Sequence, residues 1–138
     1  MDDDLLSPQT ALIYTMVLMS AVDREMTDQE MRVIGDVVRM LPAFEGFDEE
    51  ALVPIAEECA ARLGPEDGLD SVLDLIVASL PAKLAETAYA IACEIAAADP
   101  HVEQEELRML QLLRYRLNLD RLIAAAIERG VRARHARL

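Results

Sequence analysis

Carboxylates at a repeated spacing are the residues of this sequence with the clearest chemical use. Asp23 and Glu30 stand seven apart, as do Asp99 and Glu106, and Glu25, Asp28, Glu103 and Glu105 crowd into the same two stretches. An Asp closing one helix and a Glu in the first turn of the next would bring hard oxygen donors together, the ligand set of Ca²⁺, Mg²⁺ or Mn²⁺. The pattern is not an EF-hand loop. Its twelfth position, where a bidentate Glu belongs, is Ile34 counted from Asp23 and Leu110 counted from Asp99. The same residues also have a purely architectural use. Thr27 and Glu30 have the Thr-x-x-Glu form of a capping box, and Asp23 or Asp99 can accept backbone N–H bonds at a helix start, whose dipole favours negative charge.

Other chemistry is thinner. His101 lies in the second acidic stretch, four before Glu105, as a nitrogen ligand or as a solvated surface histidine. Glu94 is the one acid inside an apolar segment, as a group of shifted acidity or as one half of a pair at the core edge. A di-iron bundle needs Glu-x-x-His pairs on core helices, and the sequence has none; a nucleophile elbow, a Gly-rich phosphate loop and a zinc-protease helix are missing too. Enzyme function is not expected. Cys59 and Cys93 sit in apolar patterns without a CxxC, as buried free thiols.

Helical spacing organises everything between these residues. Ser7-Pro8 supplies an N-cap and a first-turn proline for an apolar helix from Thr10 to Val22. After Thr27, an amphipathic helix with Met31, Ile34, Val37, Val38 and Leu41 on one face runs to Pro42. A third helix spans Glu49 to Leu63 and a fourth Asp67 to Leu80, the latter ended by Pro81. An Ala-rich fifth helix starts from Pro81, its small residues admitting close neighbours. A sixth, Glu103 to Leu117, shows Leu107, Leu110, Leu113 and Leu117; a seventh, from Asp120, shows Leu122, Ile123, Ala126 and Ile127. The fold class is all-α, a single domain of about seven helices over residues 1–138, with residues 1–7 an acidic N-terminal tail and 129–138 a basic C-terminal tail.

The chain also repeats itself. A shift of 76 residues lays Ala11–Leu41 on Thr87–Leu117, matching Ala21-Val22-Asp23 to Ala97-Ala98-Asp99 and Glu30-Met31-Arg32 to Glu106-Leu107-Arg108. Each copy reads as a buried helix, an acidic bend and an amphipathic helix, and two such pseudo-symmetric hairpins would cover each other. At 138 residues, 53% hydrophobic and 28% charged, the chain can bury a substantial core. Its net charge of −13 disfavours a nucleic-acid partner. All 26 acidic residues but only nine of the thirteen basic ones precede Arg129, so the last ten residues form a basic stretch that docks an anionic surface, folds back on its own domain or stays solvated. An apolar stretch of bilayer length is absent, and Met1-Asp2-Asp3-Asp4 lacks the positive charge of a secretory signal, so no integral membrane span and a cytoplasmic setting are expected.

An apolar helix ending in Ala-Val-Asp, the seven-residue Asp-to-Glu spacing and its repeat as Ala-Ala-Asp together resemble the TerB-like family of tellurite-resistance proteins, related to the N-terminal domain of DjlA-type co-chaperones. The resemblance covers about Pro8 to Leu122. It implies a bundle of seven or eight helices without catalytic activity, a bacterial role in tellurite or envelope stress, peripheral membrane association, and divalent-metal binding at the acidic turns. Asp23, Glu30, Asp99 and Glu106 are the matching site positions. The family's turn usually has Gly after the Asp; Arg24 and Pro100 stand there in this chain, while Met26 and Val102 keep the apolar position. The alternative function is a helical protein-interaction module, its partner another protein or a second copy of the chain, with the acidic turns acting only as caps.

Overall fold

The computed structural model describes residues 5–22, 26–98 and 104–138. Seven α-helices account for the architecture: α1 (Pro8–Ala21), α2 (Asp28–Met40), α3 (Leu52–Leu63), α4 (Gly68–Ser79), α5 (Ala85–Ala98), α6 (Gln104–Arg116) and α7 (Arg121–Arg134). No strand occurs among the described residues. The all-α, single-domain expectation holds, with local differences at helix starts. The third helix begins as a 3₁₀ turn, Glu49–Ala51, because Asp48 caps it by accepting the Glu50 N–H at 3.0 Å. The fifth likewise enters through a 3₁₀ turn, Ala82–Leu84, after Pro81.

The helix α1 is the most buried element, and its sequence says why. Every residue from Ala11 to Ser20 is buried, so this apolar helix needs cover on all sides and gets it from α2, α3, α4 and α5. Its start is fixed by Ser7, whose hydroxyl accepts the Thr10 N–H at 3.1 Å, with Pro8 in the first turn. The second hub is α5, which packs on α1 and carries α2, α6 and α7. Pro81 separates it from α4 at an angle of 115°. Between α6 and α7 the chain reverses through Asn118, whose φ of 56° puts it in the left-handed region. The Leu119 N–H then bonds the Arg114 carbonyl and the Asn118 N–H the Tyr115 carbonyl, a closure that satisfies the last carbonyls of α6.

Three sequence expectations need correction. The stretch from Arg129 is not a separate tail: α7 runs through it to Arg134, Val131 is buried, and the Arg134 and His135 side chains both bind Glu94 on α5. Through Val131, Arg134 and His135 the stretch packs on its own domain. On α6, the buried face is Glu106, Met109 and Leu113, and Leu107 is half exposed. On α7, the buried face is Ala124 and Val131, while Leu122 and Ile123 point outward. Helix α7 is held on α5 by specific polar contacts, Glu128 to Tyr89 and His135 to Glu94.

Candidate functional site

The first acidic bend leads into α2, and the capping chemistry there is complete. The Thr27 hydroxyl accepts the Glu30 N–H at 3.1 Å; in return Glu30 Oε1 accepts the Thr27 N–H at 2.9 Å and lies 3.2 Å from its hydroxyl. Glu30 is the third residue of α2, and Glu106 is the third described residue of α6. Both are 0% exposed. Burying a carboxylate is costly unless donors or positive charge surround it, and a helix start supplies N–H groups and the positive end of the dipole. Helices α2 and α6 therefore each bury a carboxylate at their third described position.

Asp23 and Asp99 lie outside the described residues, as do Arg24, Glu25, Pro100 and His101, so the structure brings forward Glu30 and Glu106 of the four candidate ligands. Among the described residues no group of three or more His, Cys, Asp or Glu side chains gathers as a metal cluster. A cavity of about 430 Å³ lies between Leu18, Ala21 and Val22 at the end of α1, Leu63 and Leu69 of α3 and α4, and Glu105, Arg108 and Met109 on α6. Its lining is mostly apolar, with Glu105 as its one carboxylate beside Arg108, and neither Glu30 nor Glu106 lines it; the oxygen donors that Ca²⁺, Mg²⁺ or Mn²⁺ prefer are the carboxylates of the two acidic stretches in the sequence.

The buried thiols and tyrosines are held neutral. Burial pushes the Cys59 and Cys93 thiols up to about 12, so at neutral pH neither is the thiolate that attacks substrates or binds metal. Both are free cysteines. Burial, then the bond to Glu58 at 2.7 Å, raises Tyr14 to about 12; Tyr89 is raised in the same way by burial and its bond to Glu128. Each tyrosine ties a central helix to an outer one, α1 to α3 and α5 to α7. Glu94 proves to be a paired acid, 2.8 Å from His135 Nε2 and 3.2 Å from Arg134 Nε.

A family model described as tellurite resistance protein TerB matches residues 9–128. The chain belongs to the TerB family. No curated protein and no solved structure gives a significant match to it. The TerB match takes in both hairpins, so the acidic bends and the two buried glutamates all lie within it. It stops inside α7, before the four C-terminal arginines. Among the described residues no single helix of this TerB chain is long and apolar enough to cross a membrane.

Proposed function

We propose that the chain is a non-catalytic TerB domain of tellurite or related stress resistance that binds a divalent cation at its acidic bends. Asp23 and Glu30 would supply oxygens at the first bend, Asp99 and Glu106 at the second, for Ca²⁺, Mg²⁺ or Mn²⁺. The observation that carries this reading is the full burial of Glu30 and Glu106 at matching places in two hairpins of equal helix lengths, 14 and 13 residues in each. Each buried glutamate follows a stretch rich in carboxylates in the sequence, the donor type that a hard cation prefers. The buried free thiols fit a reducing, cytoplasmic setting.

Calorimetric titration of chelator-stripped protein with each cation tests this. Gln keeps a capping box but loses the charge, so Glu30→Gln, Glu106→Gln separates a cap from a ligand, and Asp23→Asn, Asp99→Asn probes the bends directly. The expected result is saturable binding and a raised Tm that both double variants lose. Absence of heat and of a thermal shift in the unmodified protein, or binding that survives in both variants, would overturn the cation reading and leave the bends as helix caps.

A further inference from the structure

The geometry points to a second site: the groove between α6 and α7 is a seat for an acidic amphipathic helix of a partner protein. Both helices pack on α5 and scarcely on each other, leaving a trench of about 920 Å³ between them. Its floor is the α5 face of Tyr89, Cys93, Ala96 and Ala97, mostly small side chains at helical spacing. Leu107 and Leu110 form one wall, Ala124, Ala125 and Val131 the other. Two helical walls over a floor of small residues give the shape in which an amphipathic helix buries its apolar face.

Charge decides the kind of occupant. In a chain of net charge −13, the groove is edged by Arg114, Arg121, Arg132 and Arg137. None of the four makes an ion pair among the described residues. The lining carboxylate, Glu128, is engaged by the Tyr89 hydroxyl. Arg121 and Arg132 stand eleven residues apart on one helix, about 16 Å along its axis. A single-chain lipid carries its charge at one end and would use one cluster of arginines. Arginines at both ends match an occupant with carboxylates along its length. Leu107, on the α6 wall, is 50% exposed and gives the groove an open apolar edge.

The test uses a fluorescein-labelled 16-residue peptide with leucines at i, i+3, i+4 and i+7 and glutamates on both flanks, its Glu-to-Gln counterpart, and palmitate as competitor. Fluorescence anisotropy should show saturable binding of the acidic peptide, weaker by about tenfold or more for the Gln peptide and for Arg121→Glu, Arg132→Glu. Ala125→Trp, an exposed lining residue, should block binding by filling the trench while the circular-dichroism melt stays unchanged. Equal binding of both peptides, equal binding by the arginine variant, or no peptide binding would overturn the proposal. Stoichiometric palmitate binding with no peptide binding would reassign the groove to an anionic lipid. The arginine variants should leave the cation titration untouched, so this site and the acidic bends fail or stand separately.

Discussion

Stability should fall as the pH rises above about 9, and the two buried thiols should be the cause. The thiols of Cys59 and Cys93 keep their protons up to about 12 in the folded chain, against an ordinary value of 9.0 once exposed by unfolding. Between those values the unfolded state releases protons that the folded state retains, so stability is intact below pH 9 and drains as pH rises toward 12. At pH 10 the linkage amounts to about 1.4 kcal/mol per thiol, or about 3 kcal/mol for the pair. Tyr14, raised from 10.0 to about 12, and Tyr89 begin to contribute at the same pH, by only about 0.4 kcal/mol each. Urea unfolding from pH 8 to 10.5 would measure this against Cys59→Ala, Cys93→Ala. The variant loses packing at every pH, since Cys59 Sγ also sits 3.9 Å from the Tyr14 carbonyl oxygen. The informative quantity is therefore the slope with pH, not the absolute stability. The reasoning is refuted if the variant keeps the full alkaline slope, or if thiolate absorbance in the folded protein rises with a midpoint near 9.

Two further substitutions probe the frame. Gly68→Ala should destabilise by about 1–3 kcal/mol in chemical unfolding despite the better helix propensity of alanine, because a Cβ there would meet the Arg62 carbonyl oxygen at 2.5 Å and Leu63 backbone atoms at 2.7 Å; a raised Tm would refute it. Glu94→Gln removes the charge that both Arg134 and His135 bind, and should cost about 1–2 kcal/mol, with faster hydrogen exchange at the amides of 129–135; unchanged exchange there would show that Val131 alone holds the end of α7.

How much of this was legible in the sequence differs from helix to helix. Helix α1 was plain because a run apolar on every side, capped by Ser7-Pro8, has only one comfortable environment. The capping box was equally plain, since Thr27 and Glu30 act within one turn and need no tertiary partner. Helices α6 and α7 were placed along the chain but not rotated correctly. Leu107, Leu122 and Ile123 look like core by composition, and only the packing of α7 on the alanine face of α5 decides that they face outward. The C-terminal arginines were visible as charge, but the helix that carries them is held by Glu94, forty or more residues earlier in sequence. The groove had a faint signal: small residues at Ala96, Ala97, Ala124 and Ala125 facing one another across two helices. Alanine fills little space, and where α6 and α7 sit apart on α5 it leaves a trench between them.

Helix α6 is where the acidic bend and the groove meet. Its first turn buries Glu106, and its following turns present Leu107, Leu110 and Arg114 to the trench. If the proposed cation and the proposed acidic peptide both bind, linkage makes any coupling between them reciprocal: the factor by which the cation tightens the peptide is the factor by which the peptide tightens the cation. Helix α7, the other wall, is pinned independently by Tyr89 to Glu128 and by His135 and Arg134 to Glu94. The acidic peptide would thus meet one wall, α7, locked to the core by these contacts, and a second, α6, whose first described turn is anchored by the burial of Glu106.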